Sequence, residues 1–290
     1  NDGHEIIVVD NLLTGSTENI NHLMHNENFS FIEHDVQNHI EIENKVDYVL
    51  HFASAASPKA YTEHPVNTLK AGSVGTINTL GLAKKHDAEY LLASTSEVYG
   101  DPLISPQTEE YWGNVNPNGE RSMYDEAKRF AEAAVATYSR SYDLKTKIVR
   151  IFNTYGPRMQ LNDGRVVTNF IVQALKNENI TIYGDGSQTR SFSYVEDTVA
   201  GIISLMNSSE YDVFNIGNPN EMTVGQLAEK IIELTDSTSE IKYLELPNDD
   251  PKQRKPDITK AKTKLNWEPK VNLEDGLTKT IKWVEGQLSK

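Results

Sequence analysis

Five short, nearly unbroken apolar runs interleaved with helix-like stretches leave this chain few architectures to choose from. The runs cover residues 5–10, 29–32, 46–52, 89–94 and 147–152. A strand with one wet face alternates apolar and polar residues; these runs do not, which suits parallel strands covered on both faces. Helical periodicity fills 66–86 and 124–142, and in the latter Ala127, Phe130, Ala131, Ala134, Val135 and Tyr138 share one face. The alternation predicts a doubly wound parallel α/β sheet.

From about Asp163 the pattern loosens. It predicts a helix over 166–177, a strand over 180–183, a helix over 195–206 and a strand over 213–216. Thr223 then reads as the N-cap of a helix running to about residue 236. Residues 248–256 form a polar, proline-bracketed loop, and Leu273, Leu277, Ile281 and Val284 mark a terminal helix. The expected division is 1–162 and 163–290, the second part being a smaller lobe packed on the sheet edge and partly interleaved with the first.

Charge and composition then remove whole classes of function. The net charge of −14 argues against nucleic acid, whose phosphates call for a surplus of lysine and arginine. With no cysteine there is no disulfide, thiolate metal site or cysteine nucleophile. His51 and His64 make no metal pair at a recognisable spacing, so no metal is expected. No apolar run approaches the roughly 20 residues needed to cross a bilayer, and no signal peptide opens the chain. A cytoplasmic setting is expected, with no membrane partner.

Dinucleotide folds of the Rossmann type open on a strand, a glycine-rich turn and a helix whose N-terminus holds the pyrophosphate. This chain opens on Asn1-Asp2-Gly3-His4, which reads as the loop into the second strand of such a fold. The first βα unit is expected to be missing, about 25 residues of a unit of ~30. Asp10 ends the first strand present, where a carboxylate bonds the adenosine ribose hydroxyls. Loss of a central strand would expose two strand edges and weaken cofactor binding.

The chemistry lies in Leu91-Leu92-Ala93-Ser94-Thr95-Ser96-Glu97-Val98-Tyr99-Gly100 and Tyr124-Asp125-Glu126-Ala127-Lys128. Tyr124 and Lys128 stand at i and i+4, on one face of a helix. A phenol titrating near 10 is a poor base at neutral pH. A neighbouring ammonium and a positive nicotinamide ring would favour the phenolate and lower its pKa. Tyr124 is then able to take a hydroxyl proton as hydride leaves the same carbon, while Thr95 orients the substrate oxygen.

These residues resemble the extended short-chain dehydrogenase/reductases, and within them the nucleotide-sugar enzymes. His51-Phe52-Ala53-Ser54-Ala55-Ala56-Ser57-Pro58 and the segments 94–102, 111–117, 150–159, 163–167, 183–192, 255–258 and 265–269 are similar to the UDP-glucuronate decarboxylase family. The resemblance spans nearly the whole chain. It implies NAD as cofactor, a UDP-sugar substrate and a homodimer built through the helices at 66–86 and 124–142. It implies cofactor contacts at Asp10, Asn11, Asp35, Val36, Tyr124 and Lys128. It implies catalytic roles for Thr95, Glu97, Tyr124, Lys128 and Arg254. Substrate contacts are implied at Pro58, Ser96, Asn153, Arg165, Tyr183, Gln188, Arg190 and Arg254. The arginines suit two phosphates and a carboxylate, which their forks match bidentately. The reaction implied is oxidation at C4, loss of carbon dioxide from the 4-keto acid, and return of the hydride to give UDP-xylose.

Ser96-Glu97 discriminates within the resemblance. Related 4,6-dehydratases carry Asp-Glu here, and the Asp supplies a proton that a serine hydroxyl is too weak an acid to give. Two departures stand out: Lys70-Ala71-Gly72-Ser73 where many members have an asparagine on the central helix, and Asn118 and Glu120 in the loop before Tyr124. Three readings stay open at this level: a decarboxylase, a nucleotide-sugar 4,6-dehydratase or 4-epimerase, and an inactive nucleotide-sugar-binding fragment. Gly184-Asp185-Gly186 lacks the spacing of a phosphate loop and reads as a turn.

Overall fold

A computed structural model describes residues 3–245 and 253–290; positions 248–252 of the polar loop lie outside the described residues. Six strands run parallel in two sheets. The first sheet pairs β1 (Ile6–Asp10) with β2 (Phe29–Glu33). The second holds β3 (Tyr48–His51), β4 (Glu89–Thr95), β5 (Thr146–Ile151) and, much further along the chain, Val213–Ile216, in the order Val213–Ile216, β5, β4, β3.

Helices cover both faces of the larger sheet. Residues 65–86 form one helical run: α2 (Pro65–Lys70), a π-helical turn at Ala71–Gly75 and α3 (Thr76–His86), preceded by the short α1 (Pro58–Glu63). With α4 (Ser122–Tyr142), this run packs Leu80, Ala83, Ala131 and Val135 against Val49, Tyr90, Leu92 and Ile148. The opposite face buries Leu91, Val149, Phe214 and Ile216 under Leu205, Ile258, Ala261 and Leu265. The faces alternate residue by residue along β4, as the pleat requires, and so the run over 89–94 is apolar throughout. Fully burying each large aliphatic side chain contributes about 1.5–3 kcal/mol.

The expectation of strands covered on both faces holds for β4 and fails for the first three. Ile6, Ile32, Tyr48, Leu50 and Phe52 are all more than a third exposed. One face of β3 is open, because His51 and Val49 point into the core while Tyr48 and Leu50 point away from it. Apolar composition alone does not tell which faces find a cover.

The rest of the chain builds a second core and also returns to the first. After β6 (Thr154–Tyr155) come α5 (Val166–Leu175), β7 (Ile180–Tyr183), β8 (Thr189–Ser191) and β9 (Ser193–Tyr194). Helix α6 (Val195–Met206) then leads into β10 (Val213–Ile216), the edge strand of the main sheet. There follow β11 (Glu221–Thr223), α7 (Val224–Thr235), β12 (Ile241–Leu244), β13 (Gln253–Arg254), α8 (Thr259–Leu265) and α9 (Leu273–Leu288). Phe170, Ile171, Ile180, Ile182, Leu227, Ile231, Leu277 and Ile281 share one core between α5, α7, α9 and β7. Thr223 caps α7 through a capping box: its Oγ1 accepts from Gln226 N at 3.0 Å, and Gln226 Oε1 accepts from Thr223 N at 2.9 Å. Gly184 and Gly186 take φ of 75° and 77° in the turn after β7, a conformation that favours glycine.

The π-helical turn explains why no asparagine stands at position 72. A Cβ on Gly72 would lie 2.7 Å from Ala127 Cβ and 3.2 Å from the Ala127 carbonyl carbon, so the two helices meet backbone to backbone. Gly72→Asn should therefore destabilise the fold by about 1–3 kcal/mol, as overpacking does. Ala127→Gly in the same chain should recover part of that loss, giving a coupling of at least about 0.5 kcal/mol in a urea-unfolding double-mutant cycle. Additive effects would show that the two positions do not compete for space.

Candidate active site

Strand β4 ends at Thr95 on the central part of the sheet, and the chain turns at once through Ser96–Tyr99. Thr95 Oγ1 accepts from Glu97 N at 3.2 Å, which fixes the turn. Helix α4 starts beside it and carries Tyr124 and Lys128 against the strand end. The Tyr124 hydroxyl hydrogen-bonds the Thr95 side chain. Lys128, also buried, donates from Nζ to Ala93 O at 2.8 Å, and this Nζ stands 5.9 Å from the Tyr124 ring centre.

In the protein alone, burial pushes the Tyr124 phenol up to about 12, and the Thr95 hydrogen bond and the nearby Arg165 charge offset only part of that; Lys128 alone does not bring it down, and the expected lowering also calls on the nicotinamide charge. Lys128 suffers the same desolvation, which lowers it to about 8. His51, at the end of β3, is held down to about 3 by burial and by the Lys128 ammonium, so it is neutral.

Glu97 has the opposite environment. Arg254 donates from NH1 to Glu97 Oε1 at 2.9 Å, and Arg121 donates from NH2 to Oε2 at 2.6 Å. Burial alone would raise this carboxyl, yet Arg254 and Arg121 together hold it down to about 2. Arg254 is itself 2% exposed; its forks also reach Ser96 Oγ at 2.9 Å and Gly100 O at 3.0 Å. Its place on the two-residue strand β13 is set by parallel pairing with β8, where Arg254 stands opposite Arg190. Two chain segments, 24 and 157 residues from Glu97, are joined to it here by charge.

The other residues singled out from sequence fall into two groups. Arg165, the residue before α5, reaches back to Ala56 O at 3.0 Å and pairs with Asp163 at 3.3 Å, near enough to act on Tyr124. Pro58 opens α1 beside it. Asn153 is half-buried past the end of β5, where its carbonyl accepts from Ser193 N. Tyr183 is 48% exposed at the end of β7, and its carbonyl accepts from Gln188 Nε2 at 2.6 Å. Arg190 donates from NH1 to Thr189 O.

Asp10, Asn11, Asp35 and Val36 stand apart from the proton-transfer groups, past the ends of β1 and β2. They fit the adenosine half of a dinucleotide. Asp10 Oδ1 accepts from Leu12 N at 2.7 Å, and a Cβ on Gly15 would come within 3.2 Å of that carboxylate, so Gly15 leaves its approach open. Asn11 donates to Asp35 at 3.1 Å, and buried Val36 packs on Gly75.

Three residues of the site escaped sequence reasoning. Tyr61 stacks on Tyr124 with ring centres 5.2 Å apart and has a buried hydroxyl with no partner. Arg121 grips Glu97, and Asp125 is buried on the first turn of α4. Their only signal was position: Tyr61 follows the Ser57-Pro58 motif, and Arg121 and Asp125 flank Tyr124.

A parallel doubly wound sheet bearing Thr, Tyr and Lys at one strand end defines an extended short-chain dehydrogenase/reductase. Comparison with known proteins narrows this. The family model described as GDP-mannose 4,6 dehydratase matches residues 1–280, and the chain belongs to that family. It is 53% identical over 287 residues to UDP-glucuronic acid decarboxylase 1 of Xenopus tropicalis, an alignment covering 99% of this chain and 68% of that protein. Among solved structures it is similar to a UDP-glucose 4-epimerase from Thermotoga maritima in complex with UDP-glucose. That likeness has a TM-score of 0.91 and 32% identity, and covers 99% and 93% of the two chains. A dTDP-glucose 4,6-dehydratase from Bacillus anthracis in complex with NAD matches with a TM-score of 0.87 and 26% identity, over 99% and 90%.

The Glu97 clamp has a consequence for acid stability. A carboxyl lowered in the folded state stabilises the fold above its unfolded pKa, and the benefit is lost as pH falls through the folded value. Between about pH 4.5 and 2 the protein should therefore lose up to about 3 kcal/mol through Glu97. In Glu97→Gln this part of the pH dependence, measured by urea unfolding, should be absent; an unchanged slope would mean the clamp is open in solution.

Proposed function

We propose that the chain catalyses the NAD-dependent decarboxylation of UDP-glucuronate to UDP-xylose. The observation that carries this reading is the buried Ser96–Glu97–Arg254 cluster beside Tyr124. It offers no side-chain acid at position 96 and holds guanidinium charge where a sugar carboxylate would enter. The 53% identity to a UDP-glucuronic acid decarboxylase supports the same substrate.

The roles follow from the geometry. Bound NAD⁺ supplies the acceptor, and later the donor, of the C4 hydride, together with positive charge. Thr95 orients the C4 hydroxyl, and Tyr124, brought down from about 12 by that charge, takes its proton. Lys128, held on Ala93 O, steadies the phenolate. The C4 ketone is β to the C5 carboxylate, so the C5–C6 bond breaks with its electron pair delocalised onto the C4 oxygen, and carbon dioxide leaves. A proton from water would then add at C5, and Tyr124 would give its proton back to the C4 oxygen as the cofactor's hydride chemistry was reversed. Arg254 binds the carboxylate, and Arg165 and Arg190 bind the diphosphate, with Asn153, Tyr183, Gln188 and Pro58 lining the nucleotide. Asp10, Asn11, Asp35 and Val36 hold the adenosine.

The same proposal includes a cytoplasmic location and a homodimer. Val66, Leu69, Val74 and Ile77 lie exposed along the helical run 65–86, and Phe130 lies exposed on α4, which packs beside it. Two neighbouring helices with a shared apolar stripe suit a two-fold helical interface.

With NAD⁺ added, UDP-glucuronate labelled at C6 should yield labelled carbon dioxide and UDP-xylose. Conversion to UDP-galacturonate without carbon dioxide would overturn the decarboxylase reading in favour of an epimerase. Tyr124→Phe should reduce turnover by about 10²–10⁴-fold, the range for loss of a general base. Leu69→Glu should convert the dimer to a monomer in sedimentation velocity; an unchanged sedimentation coefficient would place the interface elsewhere.

A further inference from the structure

One buried hydroxyl of the site is satisfied by nothing in the protein. Tyr61, on α1, is 3% exposed, and its hydroxyl finds no hydrogen-bond partner among the described residues. A hydroxyl withdrawn from water and left unpaired costs stability, and a phenylalanine would fill the same space without that cost. The ring itself is firmly placed. It stacks on Tyr124 with ring centres 5.2 Å apart and planes inclined by 16°, and the Arg121 guanidinium lies 5.7 Å from its centre. The carboxyls of Glu97 and Asp125 act on both phenols, so the two hydroxyls point to one end of the stack, the end that meets the Glu97–Arg254 cluster.

We propose that the Tyr61 hydroxyl is the catalytic acid that hands a proton to C5 of the sugar once carbon dioxide has left. The proposal rests on the decarboxylase reading, which supplies the enolate. Tyr124 serves the oxygen on C4, and C5 is the next atom of the ring, so a second phenol packed on Tyr124 is placed to serve that carbon. The neighbouring groups are otherwise engaged: Glu97 is an anion gripped by Arg254 and Arg121, Ser96 Oγ accepts from Arg254, and Lys128 donates to Ala93 O. Asp125 directly follows Tyr124 on α4, and successive helical residues point about 100° apart, so it does not share the face that carries Tyr124. Burial raises the Tyr61 phenol above its ordinary range, although Arg121 acts against the rise, so the proton stays on until a strong base forms beside it. An enolate carbon is such a base. The C4–C5 double-bond pair forms the new C5–H bond, the C4 carbonyl re-forms, and the O–H pair stays on Tyr61 as phenolate. A proton drawn from solvent water restores the phenol, so one solvent proton is consumed for each carbon dioxide released.

The test follows single turnovers in deuterium oxide, with NAD⁺ added and UDP-glucuronate labelled at C6. With Tyr61 intact, deuterium should enter UDP-xylose at one of the two C5 positions, because a fixed acid serves one face of the enolate. Tyr61→Phe keeps the stack and should release labelled carbon dioxide at nearly the parent rate. Its UDP-xylose should form about 10²–10⁴-fold more slowly, the range for loss of a general acid. The deuterium should then be divided between both C5 positions. Ligand-free Tyr61→Phe should melt no lower than the parent, since it loses only an unsatisfied hydroxyl. Single-position labelling or an unchanged rate of UDP-xylose formation in Tyr61→Phe would overturn the proposal. So would a clearly lower Tm, which would give the hydroxyl a structural partner, or deuterium at both positions in the parent, a result that needs no variant to fold. In each of these cases, release of labelled carbon dioxide by the parent leaves the decarboxylase reading standing. A parent that releases none removes that reading, and with it the enolate on which Tyr61 would act.

Discussion

The arrangement of this molecule turns on the burial of Arg254. A guanidinium that is 2% exposed cannot shed its charge, so the fold must bring partners to it. Glu97 supplies the countercharge, and Ser96 Oγ and the Gly100 carbonyl accept further bonds from its terminal nitrogens. Those partners lie on the turn after β4, while Arg254 lies on β13, which pairs with β8 in the other part of the chain. The ion cluster is therefore also the joint between the sheet end that faces Tyr124 and the strand that carries Arg190. Its value is positional more than energetic, since desolvation cancels much of the attraction within a buried pair.

The main sheet is braced in the same manner at points that do no chemistry. Arg150, on β5, forks onto Glu132 of α4 and donates to the Tyr99 hydroxyl, which donates in turn to buried Asn215 on β10. Lys147 reaches Glu89 and the carbonyls of Met206 and Ser208. Each network crosses from a strand to the helices above or below it, so α4 has little freedom to slide along the sheet. That rigidity is what lets Tyr124 meet the end of β4 in one register.

Much of this was legible in the residues and some was not, for identifiable reasons. The helix of α4, the strand of β4 and the Thr95–Tyr124–Lys128 set could be read because periodicity and spacing are local. The capping box at Thr223 was half visible, since the Thr was recognised and Gln226 was not. The open face of β3 was invisible, because a run such as Tyr48–His51 reads the same with one face covered or two. The burial of Tyr124 was also not legible: proximity of Lys128 is readable from sequence, but the desolvation that outweighs it in the protein alone is not. Arg121 and Asp125 looked like ordinary polar residues of a helix start, and only burial among other charges separates them from a solvated surface.

Ser96 shows how far a single neutral side chain can decide the chemistry of such a site. It is 2% exposed and accepts from Arg254 NH1 at 2.9 Å, the same nitrogen that donates to Glu97 Oε1. An aspartate there would place a second carboxylate on the same arginine, close to Glu97 and to Asp125. The added carboxylate would make the pocket less favourable to a substrate anion. The pocket would instead favour a protonated acid, the group needed to expel a hydroxyl as water. The hydroxyl of Ser96 satisfies the same donor without adding charge. Binding of an anionic sugar and expulsion of water from a neutral one are thus alternatives set by one buried position, while the Thr, Tyr and Lys that move the C4 proton serve either outcome.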